Sequence, residues 1–226
     1  MVEKQRKLEA HIQDLTELIN VARTVVSSLE LDQVLDRILE SACGFIGMPS
    51  GMLAVYDEQS EEMVLHAHSG LSPEFLQVGR WPTQGRGDHL TRMAMEDYSI
   101  RYSPDMGKET ETTEELFAEG IRTMVCVPMA VHNRPVGILY LYDSESRLLE
   151  ERQLDHLALL ASFAAMAIDN ASLHGRTKMM ALTDALTGLY NNRYFMQVFP
   201  HELIRARRYM KPLSLIMIDV DNFKKL

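Results

Sequence analysis

Thr123-Met-Val-Cys-Val-Pro-Met-Ala-Val131 and Val136-Gly-Ile-Leu-Tyr-Leu-Tyr-Asp143 are two apolar runs separated by His132-Asn-Arg-Pro135. Short apolar runs on either side of a turn signal read as a buried hairpin. Asn133-Arg134 supplies the tight turn, and Pro135 leads into the second strand. Both runs are apolar at successive positions (Met124, Cys126 and Met129 with Val125, Val127 and Val131), so both faces must be covered. That places the pair centrally in a sheet with a layer on each side.

Upstream, Gly51–Tyr56 and Met63–His68 flank the acidic turn Asp57-Glu-Gln-Ser-Glu-Glu62, a second hairpin of the same antiparallel sheet. The stretch between the hairpins is irregular. Ser72 is placed to cap a short helix from Pro73, and Arg80-Trp-Pro-Thr-Gln-Gly-Arg-Gly-Asp88 has the Gly and Pro of a loop. Leu90–Glu96 reads as a helix and Tyr98–Tyr102 as a short strand. Ser103–Thr113 is polar, and Glu114–Glu119 reads as one or two helical turns stopped at Gly120.

Helices flank this sheet in sequence. Leu31–Ile46 carries an apolar face of Val34, Leu35, Ile38, Leu39 and Ala42, with Asp32 as its expected N-cap. Ahead of it, Leu8, Ile12, Leu15, Ile19, Ala22, Val26 and Leu29 step by four and three, the seam of a helix lying along another helix. The same alternation returns in Glu150–Leu182 at Leu154, Leu157, Ala161, Ala164, Ile168, Ala171, Gly175, Lys178 and Leu182. A second apolar face, Leu159, Leu160, Phe163, Met166 and Ala167, leaves one side for the sheet and one for a partner. About 30 residues at 1.5 Å each make a rod of roughly 45 Å. Homodimerisation through the N- and C-terminal helices is the expectation.

Past this helix stand Thr183-Asp-Ala-Leu-Thr-Gly-Leu-Tyr-Asn-Asn-Arg-Tyr-Phe195 and Leu213-Ser-Leu-Ile-Met-Ile-Asp-Val-Asp-Asn-Phe-Lys224. Asn191 is a natural N-cap for a helix from Asn192 to about Met210, with Phe195, Val198, Phe199, Leu203 and Ala206 inward and Pro200 marking a kink or break. Leu213–Ile218 reads as a buried strand running out into Asp219 and Asp221. Two acids after a strand fit either a solvated turn or a site for a hard cation such as Mg²⁺.

The chain order of helix, helix, hairpin, irregular helices, hairpin and long helix resembles a GAF domain over about residues 15–175. The last 44 or so residues resemble the opening of a GGDEF domain, the catalytic module of diguanylate cyclases. Asp184, Leu186, Thr187, Leu189, Asn191, Arg193 and Phe195 match that family's first motif, with Asn192 where an Arg usually stands. Asp219, Val220, Asp221, Phe223 and Lys224 match its strand-end motif. The expected class is therefore α+β: a GAF-like antiparallel sheet flanked by helices, long N- and C-terminal helices, and an incomplete α/β GGDEF fragment. Its divisions are a helix extension over 1–14, a sensor domain over 15–175, a helical linker over 176–183 and the GGDEF part over 184–226.

The resemblance implies a pocket roofed by about residues 70–120, a bacterial signalling role, and condensation of two GTP into cyclic di-GMP by the intact protein. It further implies Mg²⁺ held by Asp219 and the Val220 carbonyl, with Asn222, Phe223 and Lys224 on phosphates. The signature loop of the family does not appear in this sequence, so this chain by itself is expected to be inactive. The alternative is a regulatory binding protein with a degenerate, non-catalytic GGDEF domain. A further alternative is a redox enzyme on the GAF fold using Cys43 or Cys126.

Candidate sensor residues are His66, His68, Trp81, His89, Tyr98 and Cys126. None forms a recognised cofactor motif, and the effector, a small molecule or redox cue, has no signature. His66 and His68 share one face of an ideal strand, which suits a satisfied surface pair or a metal site.

A net charge of −9 argues against nucleic acid or anionic membrane as the main partner. No run approaches the roughly 18 to 20 uninterrupted apolar residues of a membrane span. Two cysteines are too few for a disulfide framework, and a reducing cytoplasm is the expected setting.

Overall fold

The computed structural model describes residues 30–82, 89–109 and 112–219. The first expected seam, Leu8 to Leu29, lies outside them. The chain divides into two compact units, the first ending at Ser172 and the second beginning at Leu173.

In the first unit, α1 (Leu31–Ile46) leads into β1 (Ser50–Asp57) and β2 (Glu62–Ser69). Then come α2 (Pro73–Leu76), β3 (Arg80–Pro82), α3 (His89–Asp97) and β4 (Arg101–Ser103). A 3₁₀ turn at Met106–Lys108 and α4 (Glu114–Ala118) precede β5 (Thr123–Val131), β6 (Arg134–Asp143) and α5 (Glu151–Leu182), whose residues from Leu173 on belong to the second unit. The six strands form one sheet in the order β3-β2-β1-β6-β5-β4, every neighbouring pair antiparallel.

The two-sided apolar reading of β5 and β6 holds, because alternate residues enter two cores. Val125, Val127, Leu139 and Leu141 join α1 and α5 on one face. Met124, Cys126, Ile138, Tyr140 and Tyr142 meet the irregular segment on the other, with Phe75, Trp81, Leu90, Met106 and Leu116. Each of these strand residues is at most 1 % exposed.

Several local details depart from the sequence reading. The β5–β6 turn sits one residue earlier, on His132 and Asn133, whose φ angles of 51° and 60° suit the mirror-image turns that match strand twist. Asp32 is not the cap of α1; Glu30 holds that position, and Asp32 lies in the first turn. Arg80–Pro82 is an edge strand and not a loop, pairing Trp81 with Met63. The strand expected at Tyr98–Tyr102 begins at Arg101, since Tyr98 has left-handed backbone at φ 56°.

The expected partner seam of α5 is also corrected. Leu157, Ala161, Ala164 and Ile168 are at most 6 % exposed and pack in the first core. An apolar sheet face must be covered, and these small residues let the helix lie close to it. Leu160 and Ala167 join them, whereas Leu159 and Met166 are 41 % and 48 % exposed. By length and composition Glu151–Leu182 would suffice to cross a membrane, and its buried residues show that much of that apolar character serves the core.

In the second unit, α6 (Asn192–Arg208) is capped by Asn191, whose Oδ1 accepts from the Tyr194 amide at 3.1 Å. It continues through Pro200 without a break. Phe195 and Phe199 stack at 5.2 Å, and none of its residues is fully buried. Leu213–Ile218 is not the expected buried strand: residues 211–219 have no regular secondary structure, and Ile216 and Met217 are 80 % and 90 % exposed. A strand exists only through its neighbours, and no strand of the described second unit pairs with it.

Candidate functional site

The second core is where the candidate sensor residues divide. Trp81 is 3 % exposed, held opposite Met63 and tilted against Tyr140 with ring centroids 6.3 Å apart. Cys126 is fully buried on β5, its Sγ 3.7 Å from Thr91 Oγ1 on α3. His89, the first residue of α3, reaches Glu109 with Nε2 to Oε2 at 3.3 Å. Tyr98 sits half-buried in the turn after α3.

His66 and His68 do not share a face. The β1–β2 register shifts between Leu53 and Ala54, which face Ala67 and Leu65. The bulge leaves His66 unpaired in the ladder, and its Nδ1 meets Asp32 Oδ1 of α1 at 3.1 Å. His68 is paired with Met52, a residue of the opposite core. A bulge adds one residue and so inverts the alternation on which the shared face depended. Among the described residues no three His, Cys, Asp or Glu side chains gather as a metal site.

The two thiols also part. Cys43 packs against the first core and Cys126 belongs to the second, so the sheet lies between them. Burial pushes the Cys43 thiol up to about 11, which keeps it protonated at neutral pH. This arrangement offers no thiolate pair for redox turnover.

Sequence reasoning missed the residues that line the cavity in this core. A space of about 10 Å³, room for about one water, lies between Met52, Met124, Tyr140 and Tyr142 on the sheet and Phe75, Thr113, Glu115 and Leu116 on the roof. Tyr140 and Tyr142 stack nearly parallel at 6.0 Å, and Phe75 meets Tyr142 edge-on at 5.8 Å. Strand alternation in the quoted hairpin could have found both tyrosines, because they share a face with Met124 and Cys126.

Two polar ties fix the irregular segment. Ser72 caps α2, accepting from the Phe75 amide at 3.1 Å, and Glu119 accepts from Ser72 N at 2.7 Å and Ser72 Oγ at 2.5 Å. Asp105, 7 % exposed, accepts from Arg122 Nη2 at 3.2 and 3.1 Å. Burial alone would raise the Asp105 carboxyl, but the hydrogen bonds from Arg122 and Lys108 outweigh it and hold it below the usual carboxylate range.

In the second unit the motif at Asp184 builds a closed turn. Asp184 Oδ1 accepts from the Leu186 and Thr187 amides at 3.2 and 3.0 Å and from Thr187 Oγ1 at 2.9 Å. Gly188 takes φ 69°, and Asn191 Nδ2 donates to the carbonyls of Ala181 and Thr183. The motif residues Asp184, Thr187 and Asn191 thus shape the entry to α6. Asp219 is exposed, and Val220, Asp221, Asn222, Phe223 and Lys224 lie outside the described residues.

With this geometry in place, the comparisons divide the chain the same way. The GAF domain family model matches residues 28–169, and the model for the GGDEF domain of diguanylate cyclases matches 181–226. Diguanylate cyclase A of Treponema denticola is 21 % identical over 225 residues, 96 % of this chain and 59 % of that protein. Diguanylate cyclase DgcS of Shewanella oneidensis is 46 % identical over 57 residues, 25 % of this chain and 19 % of that protein. The chain therefore spans less than two thirds of the length of each of these relatives. Among solved structures, the GAF domain of a phosphoenolpyruvate-protein phosphotransferase from Coxiella burnetii aligns with a TM-score of 0.63 at 20 % identity, covering 73 % of this chain and 98 % of that one.

Proposed function

This chain belongs to the GAF domain family, and on that premise we propose that its sensor domain controls a GGDEF output that makes cyclic di-GMP from two GTP. The succession of the two family matches along one chain, 28–169 and then 181–226, carries the reading. Diguanylate cyclase relatives over both segments support it. The cue is a small molecule or redox change received in the bacterial cytoplasm.

Asp219 and the Val220 carbonyl would hold Mg²⁺, whose hard character suits such oxygen donors. Asn222, Phe223 and Lys224 would meet the phosphates of GTP. The metal would neutralise charge on the phosphates during attack by a 3′-hydroxyl.

Two outputs must face one another for two GTP to combine, which calls for a homodimer. The N-terminal seam, Leu8 to Leu29, and α5 would carry it. On α5, Leu159, Met166, Leu173 and Met180 recur at sevens and are 41, 48, 52 and 80 % exposed. Phe163, Asn170 and Thr177 interleave at steps of four and three, the spacing of a two-helix seam. A small shift in the crossing of two such helices would pass the sensor's state to the outputs.

The test is product formation by the natural protein with GTP and Mg²⁺. Cyclic di-GMP is expected, and Asp219→Asn should abolish it while the dimer persists. Nucleotide binding with no product from the natural protein would replace this reading with a non-catalytic regulatory one.

A further inference from the structure

The cavity of the second core has one polar atom whose ordinary job is undone. Thr113 is the N-cap residue of α4, where a threonine hydroxyl normally accepts from the first-turn amides. Here it makes no such bond. Its Oγ1 is buried, has no hydrogen-bond partner among the described residues, and lines the cavity. An unpaired buried hydroxyl destabilises a fold, and a guest in the cavity with a donor or acceptor of its own would pair it.

The rest of the lining defines what that partner is. Met52 and Met124 offer flexible thioethers that re-pack around planar groups, and Phe75 and Tyr140 offer ring surfaces. The space holds about one water, so a larger guest enters only when the roof lifts. The roof is made of short helices, four residues in α2 and five in α4. Ser72 and Glu119 bolt the N-cap of the first to the C-cap of the second through two hydrogen bonds.

We propose that this cavity takes a small, uncharged aromatic molecule bearing one hydroxyl or amine, with Thr113 Oγ1 as its hydrogen-bond partner and the Ser72–Glu119 pair as the latch that closes the site. The proposal deepens the sensor reading above and rests on it for biological meaning, but not for its test. The latch holds most molecules closed, and apparent affinity is reduced by the closed fraction.

The test uses this 226-residue chain, with phenol and toluene as probes of equal shape. Calorimetry measures binding, and the emission of Trp81, the single tryptophan, reports the second core. Phenol is expected to bind about tenfold more tightly than toluene, the margin of one hydrogen bond to a buried group. Thr113→Val should erase that preference and raise Tm of the unliganded protein by about 2–4 °C, because an unpaired hydroxyl has gone. Glu119→Ala should tighten phenol binding at least about fivefold. Should Glu119→Ala fail to fold, Ser72→Gly removes the hydroxyl donor to Glu119 while remaining a tolerable cap. Absence of phenol binding in the latch variants, or equal binding of phenol and toluene to the wild type, overturns the proposal and leaves the cyclase reading standing. Phenol binding that never alters cyclic di-GMP output in the natural protein would instead strike the sensor reading and leave this site intact.

Discussion

The rings of Phe45 on α1 and His156 on α5 lie face to face, their centroids 3.5 Å apart and their planes 8° from parallel. His156 is 8 % exposed, so the stack joins the two helices that cover one side of the sheet. Its value lies in ring area. His156→Ala should lower unfolding free energy by about 2 kcal/mol, whereas His156→Phe should stay within about 1 kcal/mol of the wild type. Denaturant melts of the three proteins decide it, and a neutral alanine variant would show that the stack contributes nothing.

Gly137 and Gly44 should respond in opposite directions to alanine. A Cβ at Gly137 would sit 2.4 Å from the Ala54 carbonyl oxygen and 2.5 Å from Met129 Cε, against the backbone of the neighbouring strand. Gly137→Ala should therefore open the β1–β6 ladder and destabilise by about 3 kcal/mol or more. Gly44 is exposed inside α1 with open space around it. Gly44→Ala should raise stability by about 0.5–1 kcal/mol through the unfolded chain's lost freedom. Thermal melts of both variants give the comparison.

Local chemistry made most of the first unit legible. The quoted hairpin announced two covered faces, and the bounds of α1 match the reading of Leu31–Ile46. Asn191 and Ser72 were identifiable as caps because their side chains act within three residues. What failed was information carried by distant partners. A bulge at His66 turned it away from the face of His68, and nothing near either residue signals it. The sheet claimed Leu157, Ala161, Ala164 and Ile168 from a helix whose periodicity equally suited a second chain. Leu213–Ile218 has the composition of a strand but no strand beside it among the described residues. The cavity's lining could be read only once the roof was placed over Tyr140 and Tyr142.

The turn at Asp184 should weaken in acid. Hydrogen bonds from the Thr187 amide, then from its hydroxyl, hold the Asp184 carboxyl below its usual range, against a smaller opposing effect of burial. A depressed folded-state pKa means that the carboxylate supports the turn above the ordinary aspartate range. That support is lost as pH falls through the folded value. Amide exchange at Leu186 and Thr187 should be slow at pH 6, relative to intrinsic rates, and should lose protection only in acid below the ordinary aspartate range. Asp184→Ala should show the unprotected behaviour in both conditions. Equal protection in that variant would mean that Gly188 and Asn191 suffice to hold the turn.

The exposed seam of α5 gives the sharpest test of the dimer. Met166 is 48 % exposed, whereas Ile168, two residues on, is 6 % exposed in the first core. Met166→Glu would place a charge on the outer seam and leave the core untouched, so it should yield a folded monomer. Ile168→Glu would bury an unpaired carboxylate and should unfold the first unit, by several kcal/mol. Asn170 occupies the inner position where a polar residue fixes register at some cost in stability. Asn170→Val should strengthen association about tenfold and broaden the range of oligomers. Sedimentation at tens of micromolar, with circular dichroism to confirm folding, separates these outcomes. A wild-type chain that sediments only as monomer would end the helix-seam account, and a dimer unaffected by Met166→Glu would move the interface to another face.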